Sequence, residues 1–165
     1  MKLYIVRHGQ AELLKANEGE AKDSERALTS EGQQEASVAG QQLKAALAGE
    51  SVKILASPYR RAQQTAQEII SVLGLTSDVL VTLNSVTPQH SPQEALTALQ
   101  PYENESAVVL ISHQPLVSHL IAQLVWGRNE PAIAMGTAYV ACLSLETLEF
   151  GLAELLWVHA PKAVA

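Results

Sequence analysis

The chain has 165 residues, of which 47% are hydrophobic and 17% are charged, and its formal net charge is −6. This length is typical of one domain, which we expect to span residues 1–165 and to bury a substantial core. The negative charge argues against a surface that binds nucleic acid or an anionic membrane. The longest weakly polar run, residues 132–145, is shorter than the roughly 20 residues of a membrane-spanning helix.

The first half of the chain alternates apolar runs with helical patterns. Residues 3–6 predict a buried strand, and residues 10–26 a polar loop with one helical turn near residues 12–16. A helix is predicted over residues 30–48, with Thr29 as its N-cap and Gly49 ending it. Residues 52–56 predict a second strand, followed by a helix over residues 58–73 with Pro58 at its first position.

The second half repeats the alternation and then ends in a hairpin. Strands are predicted over residues 79–83 and 107–111, and helices from residue 92 to before residue 101 and over residues 115–126. Two last strands, residues 139–145 and 152–159, are joined by so short a turn that they are antiparallel. We therefore expect an α/β fold: a three-layer αβα sandwich with a mostly parallel sheet and an antiparallel strand near the C-terminus.

Polar side chains with phosphate-binding chemistry follow three of these strands. They are Arg7 and His8, the pair Arg60 and Arg61, and His113. Because ligands bind outside the carboxyl ends of parallel strands, these groups converge if their strands are neighbours. Arginine binds phosphate oxygens in a planar, bidentate fashion, and a neutral imidazole can attack phosphorus. Helical geometry leaves open whether Arg60 or Arg61 faces the site, and Gly9 is predicted to allow a sharp turn after His8.

Other types of site are disfavoured. The histidines have no cysteine or carboxylate at a metal-binding spacing, and arginines beside them disfavour a cation. Neither G-x-x-x-x-G-K-[ST] nor G-x-G-x-x-G occurs in the chain. Three further histidines receive no chemical role: His90 in a polar loop, His119 on a helix and His159 near the C-terminus. The lone Cys142 lies in an apolar run, cannot form an internal disulfide and is predicted to be buried.

Four motifs in order resemble the histidine phosphatase superfamily, which has the phosphoglycerate mutase-like fold. They are Arg7-His8-Gly9, residues 28–32 (LTSEG), residues 57–66 (SPYRRAQQTA) and Ser112-His113. The short chain and residues 112–117 (SHQPLV) are similar to bacterial protein-histidine phosphatases of that superfamily.

The resemblance implies a role for each matching residue. His8 would be the nucleophile that becomes phosphorylated, and Arg7 would bind the transferred phosphoryl group. Arg61, directly before Ala62, matches the second phosphate-binding arginine, and His113 would stabilise the transition state. Arg26 matches an additional arginine near the pocket.

The chain departs from the larger family in one respect. The members of that family that act on phosphomonoesters are similar in having an acidic residue after the third strand, which donates a proton to the leaving group. The corresponding segment here, residues 83–91, contains no carboxylate. General acid catalysis contributes about 10² to 10⁴-fold. An imidazole leaving group needs that acid less than an alkoxide does. His90 is the one residue in this loop that could replace the acid, and we do not expect it to do so.

The connection between residues 83 and 107 is also too short for a large lid, which predicts an open pocket. We therefore expect a phosphohistidine phosphatase acting on a phosphotransfer or phosphocarrier protein, without metal or organic cofactor. We also expect a monomer, because the sequence has no heptads or long exposed apolar stripe. A cytoplasmic location is expected because Arg7 and His8 interrupt the only apolar N-terminal stretch and no signal peptide is apparent. The alternatives are a small-molecule phosphomonoesterase of the same fold, which would need a working proton donor, and a module that binds phosphohistidine proteins without turnover.

Overall fold

The computed structural model describes residues 1–14 and 17–162, without the side chains of residues 20 and 21. Six strands form one sheet: β1 (Lys2–Arg7), β2 (Lys53–Ala56), β3 (Leu80–Thr82), β4 (Ala107–Ser112), β5 (Val140–Ser144) and β6 (Glu154–His159). Their spatial order is β3-β2-β4-β1-β5-β6. The pairs β3–β2, β2–β4 and β4–β1 are parallel, whereas β5 is antiparallel to both of its neighbours. The predicted mixed sheet with one reversed strand is confirmed.

Helices cover both faces of this sheet and complete the predicted three layers. They are α1 (Glu20–Asp23), α2 (Ser30–Leu47), α3 (Arg60–Leu73), α4 (Pro92–Leu99) and α5 (Leu116–Trp126). Short 3-10 turns cover Ser77–Val79 and Gln100–Tyr102. Side chains alternate along β1, so Tyr4 and Val6 pack with α2 and α3, and Leu3 and Ile5 pack with α4 and α5.

Several predicted boundaries are wrong by a few residues. The helix α3 begins at Arg60 rather than Pro58, because the Ser57 hydroxyl accepts the Tyr59 N–H at 3.2 Å and forms a turn before the helix. Similarly, α5 begins at Leu116, one residue after the predicted start. The helix α2 ends at Leu47, and Ala48, before the predicted Gly49, takes the left-handed conformation with φ 48°.

The polar segment before α2 also differs from its predicted form. Its helical turn is α1, at Glu20–Asp23, and not near residues 12–16. Residues 12–14 are not helical, and residues 15 and 16 lie outside the described residues.

The register of the three central strands aligns their carboxyl ends. Arg7 of β1 pairs with Ser112 of β4, and Ala56 of β2 pairs with Ile111 of β4. The alignment continues one residue past the strands, since the His8 N–H donates to the Ser112 carbonyl at 3.0 Å. The Ser57 N–H likewise donates to the Ile111 carbonyl at 3.0 Å. The residues after these strands therefore meet at one edge of the sheet.

Candidate active site

A cavity of about 300 Å³ opens at this edge, and all the predicted site residues line it. They are Arg7, His8, Arg26, Arg61 and His113. The choice between the adjacent arginines is settled by burial, because Arg61 is 3% exposed. Arg60 is exposed, and its Nη1 lies 3.5 Å from the Glu25 carbonyl oxygen.

Two neighbours fix the protonation of His8. Its Nδ1 lies 2.7 Å from the Gly9 carbonyl oxygen, which can only accept, so Nδ1 carries the proton. Its Nε2 lies 3.3 Å from Nε of Arg61, which can only donate, so Nε2 presents its lone pair. The pKa of His8 is lowered to about 3, chiefly by burial; the bond to the Gly9 carbonyl raises it in part, and the charge of Arg61 adds to the lowering. A neutral imidazole with a free Nε2 lone pair is a nucleophile.

Arg61 is held from several sides in the first turn of α3. Its carbonyl accepts from the Thr65 hydroxyl at 2.8 Å, and that hydroxyl accepts from the Gly9 N–H at 3.0 Å, which connects the helix to the end of β1. Its guanidinium carbon lies 5.0 Å from the centre of the Tyr59 ring. Burial lowers the pKa of Arg61, while Asp23 raises it. The guanidinium is therefore fixed beside Nε2 of His8.

His113 is positioned by Ser57, which follows β2. The Ser57 hydroxyl oxygen lies 2.7 Å from Nε2 of His113 and also accepts the Tyr59 N–H. Ser57 is fully buried, and His113 Nε2 is the one acceptor for its hydroxyl proton among the described residues. The Ser57 hydroxyl therefore donates its hydrogen bond to an unprotonated Nε2, and the ring proton of His113 is on Nδ1, which is the N–H donor. The His113 ring centre lies 5.1 Å from that of His8, and burial lowers the pKa of His113 to about 2.

Arg7 presents an unpaired donor to the site. Its Nη1 donates to the Met135 carbonyl at 3.1 Å, whereas its Nε is buried without a hydrogen-bond partner among the described residues. His113 Nδ1 is likewise buried and unpartnered in that part of the chain. Buried donors of this kind need a polar partner. Burial lowers the pKa of Arg7, and the nearby Glu35 raises it.

Two glycines allow the chain after His8 to pack closely against the start of α2. A Cβ on Gly32 would lie 2.0 Å from the Gln10 carbonyl oxygen, and one on Gly9 would lie 2.5 Å from the Gly32 carbonyl oxygen. The predicted reason for Gly9, a sharp turn, is wrong, since its φ is not in the left-handed region. Close backbone approach is what requires a glycine here. Thr29 caps α2 as predicted, accepting the Gly32 N–H at 3.0 Å.

The three histidines without a predicted role do not line this cavity. His90 Nδ1 lies 2.6 Å from the Thr87 hydroxyl, and its Nε2 lies 3.6 Å from a Glu94 carboxylate oxygen. His119 contacts the Asn129 carbonyl, and His159 stacks on Trp157 with ring centres 4.2 Å apart. Cys142 is buried, as predicted. Across residues 1–14 and 17–162, no three His, Cys, Asp or Glu residues are grouped so that they could hold a metal ion.

Asp23 is a cavity residue that sequence reasoning missed. Its Oδ1 accepts from Arg26 Nε at 2.8 Å, and its Oδ2 lies 3.4 Å from Arg61 Nη2. The available signal was its position three residues before Arg26, a spacing at which opposite charges can pair, as they do here just after α1 ends. Because residues 10–26 are predicted as a polar loop, the spacing of Asp23 and Arg26 alone does not indicate that the two side chains line a cavity.

The sheet order, the paired histidines and the buried Arg61, with the half-buried Arg7 and Arg26, define a phosphate-handling α/β enzyme site. The chain belongs to the histidine phosphatase superfamily, branch 1, whose family model matches residues 3–86.

Individual relatives align with most or nearly all of the chain. It is 35% identical over 166 aligned residues to phosphohistidine phosphatase SixA of Escherichia coli K12, covering 98% of this chain and 94% of that protein. It is 32% identical to a SixA homologue of Haemophilus influenzae Rd, covering 78% of this chain and 80% of that protein. A solved structure of the protein histidine phosphatase SixA complexed with tungstate superposes with a TM-score of 0.82 at 31% identity, covering 98% of this chain and 97% of that one.

Proposed function

We propose that the protein is a phosphohistidine phosphatase whose own His8 carries the phosphoryl group between substrate and water. The observation that carries the proposal is the fixed tautomer of His8, whose Nε2 lone pair faces the guanidinium of Arg61 at 3.3 Å. A neutral nucleophile among buried phosphate-binding donors is the arrangement that phosphoryl transfer needs. Two relatives that align with most of this chain are named phosphohistidine phosphatase SixA and phosphohistidine phosphatase SixA homolog, which supports the proposal.

In the first step, the Nε2 lone pair of His8 attacks phosphorus in line with the substrate nitrogen. The new bond joins phosphorus to Nε2, the bond to the substrate imidazole breaks, and that imidazole leaves with the electron pair. As phosphorus approaches, the Arg61 Nε–H moves from the lone pair to a phosphoryl oxygen. The unpartnered donors of Arg7 and His113 bind the other oxygens, and Arg26 adds positive charge at the rim of the cavity.

In the second step, water attacks phospho-His8 from the side that the substrate imidazole has left. The bond between phosphorus and Nε2 breaks, and the electron pair returns to Nε2. Inorganic phosphate and neutral His8 are the products. The depressed pKa of His8 favours this neutral form at physiological pH.

The lack of an acidic group in residues 83–91 suits an imidazole leaving group. From this loop, Pro88 lines the cavity. The one carboxylate among the cavity residues, on Asp23, accepts hydrogen bonds from two arginines, so neither of its oxygens is placed to donate a proton. The imidazole, with a reference pKa of about 6.5, is expelled after protonation by solvent, whereas an alkoxide requires a positioned acid.

The substrate we propose is a histidine phosphorylated on another protein, of the phosphotransfer or phosphocarrier type. We further propose that residues 1–165 act as one domain, as a monomer in the cytoplasm, with no nucleic-acid or membrane partner and without a metal or organic cofactor. No helix within residues 1–14 and 17–162 is long and apolar enough to cross a bilayer.

Release of inorganic phosphate from a phosphorylated phosphotransfer domain, measured beside p-nitrophenyl phosphate without added metal, tests this function. Rapid release from the protein and slow hydrolysis of the ester support it. Efficient ester hydrolysis with the phosphoprotein untouched would identify a small-molecule phosphomonoesterase instead. Tight binding of the phosphoprotein without release of phosphate would identify a binding module.

A further inference from the structure

Asp23 places a negative charge among the arginines of the phosphate site. It is the last residue of α1, and its side chain is 21% exposed. One carboxylate oxygen accepts from Arg26 at 2.8 Å, and the other lies 3.4 Å from Nη2 of Arg61. Its backbone carbonyl accepts from Nη1 of Arg61 at 2.7 Å. Asp23 therefore occupies donors on two of the three arginines that line the cavity.

These contacts set Asp23 in competition with phosphate. The Arg61 Nη2 that faces the Asp23 carboxylate belongs to the same guanidinium whose Nε faces His8 Nε2 at 3.3 Å. A phosphoryl group bonded to His8 would therefore be separated from the Asp23 carboxylate only by the width of the Arg61 guanidinium. Charges that close together repel, and partial burial limits screening by salt.

An opposing charge has a use in a phosphatase, because the product binds to the same donors as the transferred group. Without the charge of Asp23, Arg26 and Arg61 would stabilise the phosphate dianion more strongly and slow its departure. Interactions that bind the ground state and the transition state equally do not raise kcat. We propose that Asp23 is an internal counter-ion that weakens phosphate binding and thereby speeds product release. The claim that Asp23 speeds product release, the release half of the proposal, rests on the proposed function. The claim that it weakens phosphate binding, the binding half, does not.

The competing explanation is that Asp23 only attaches α1 to the rest of the fold through its bonds to Arg26 and Arg61. The two explanations differ in the sign of the effect of removing the charge. A purely structural bond, once weakened, leaves the arginines less well placed and phosphate bound more weakly. Removal of a competing charge leaves phosphate bound more tightly.

Calorimetric titration of the full chain with inorganic phosphate at physiological ionic strength separates these explanations. Asp23→Asn removes the charge with little change in shape, and we expect phosphate to bind about tenfold more tightly, which corresponds to about 1.4 kcal/mol. Asp23→Glu keeps the charge and is expected to stay within about threefold of the parent protein, on the scale of an exposed ion pair. Thermal unfolding of each variant shows that both are folded.

Glu25→Gln is the matched control. Its side chain lies two residues further along, is 67% exposed and pairs with Lys22 at 3.6 Å. The same loss of charge there is expected to leave phosphate affinity within about twofold. Unchanged or weaker phosphate binding by Asp23→Asn would overturn the proposal. An equal gain in affinity by Glu25→Gln would also overturn it, because the effect would then be general to the protein charge.

Turnover of a phosphoprotein provides the second readout. In Asp23→Asn, multiple-turnover kcat is expected to fall while the single-turnover rate stays within about twofold, since only release is slowed. Inhibition by added phosphate is expected at about tenfold lower concentration, in proportion to the tighter binding. A fall in the single-turnover rate with unchanged phosphate affinity would contradict the proposal. If no phosphoprotein is hydrolysed, the proposed function fails, and calorimetry still decides the binding half separately.

Discussion

Nε of Arg61 lies 3.3 Å from Nε2 of His8 and donates to its lone pair, which we propose attacks phosphorus. This bond keeps the imidazole neutral, because a protonated Nε2 would place two donors face to face. In the proposed reaction it would also hold the donor where the phosphoryl oxygens arrive. We therefore propose that Arg61 orients the His8 nucleophile before the reaction and stabilises the developing charge during it.

Loss of the Arg61 side chain is predicted to lower kcat/KM by about 10² to 10³-fold, the usual cost of one donor to a developing oxyanion. We expect Arg61→Lys to recover little of this loss, because an ammonium group cannot reach His8 and phosphate with a planar set of donors. Steady-state kinetics with a phosphoprotein measures both variants. Arg60→Ala is the control, since Arg60 is exposed beside Arg61, and its activity is expected to stay within about twofold, as for other surface substitutions. Equal losses at the two positions would contradict the assignment.

The hydroxyl of Ser57 is predicted to act through His113. In Ser57→Ala, Nε2 of His113 loses its 2.7 Å partner, and its tautomer is no longer fixed. We expect kcat to fall about tenfold, within the range for loss of a supporting hydrogen bond around a site. Nitrogen-15 NMR of His113 should change from one tautomer to a mixture. Ser106→Ala, which removes an exposed hydroxyl donating to the Ser51 carbonyl, should alter neither. A single unchanged His113 tautomer in Ser57→Ala would contradict the role of Ser57.

Stability is predicted to depend on pH through the two buried histidines. Their folded pKa values, about 3 for His8 and about 2 for His113, lie below the unfolded value of about 6.5. Below pH 6.5 the unfolded chain therefore binds protons that the folded chain does not, and stability falls as the pH falls. Each histidine contributes a slope of up to about 1.4 kcal/mol per pH unit. Urea unfolding between pH 7 and pH 5.5 measures it, and His8→Gln should remove about half of the slope. An unchanged slope in that variant would show that His8 is protonated alike in both states.

The alternation of strands and helices was sufficient to predict the sheet and the positions of Arg7, His8 and His113. Local patterns identify strand ends well, and parallel pairing brings those ends together. The same patterns could not distinguish Arg60 from Arg61. That choice depends on where α3 begins, and Ser57 moves the start by accepting the Tyr59 N–H.

Tertiary contacts explain what else was missed. Asp23 appeared to be one of many charges in a solvated segment, and only hydrogen bonds between the end of α1 and the start of α3 place it beside Arg61. The role of Gly9 also depends on a distant element, since its backbone meets Gly32 of α2. Neither contact leaves a periodic signal in the sequence.

The close packing of Gly32 against the backbone of Gln10 predicts a strong effect of adding a single methyl group at Gly32. In Gly32→Ala the new Cβ would lie 2.0 Å from the Gln10 carbonyl oxygen, so the segment after His8 must move. We expect a loss of about 1–3 kcal/mol in the free energy of unfolding, as for overpacking elsewhere, and reduced kcat. Chemical denaturation and steady-state kinetics measure the two effects. In Gly19→Ala the Cβ meets no atom within 4 Å, and no comparable loss is expected there. Wild-type stability in Gly32→Ala would contradict the packing.

Detection of phosphate on His8 is the decisive test of the proposed phosphohistidine intermediate. The protein is mixed with a phosphotransfer domain labelled with phosphorus-32 and quenched in alkali within milliseconds. We expect an acid-labile, alkali-stable label at Nε2 of His8. Both the label and turnover should be lost in His8→Ala, whereas His90→Ala should keep the label and nearly normal activity. Release of labelled phosphate at the normal rate by His8→Ala, with no label on the parent protein, would contradict the proposed intermediate.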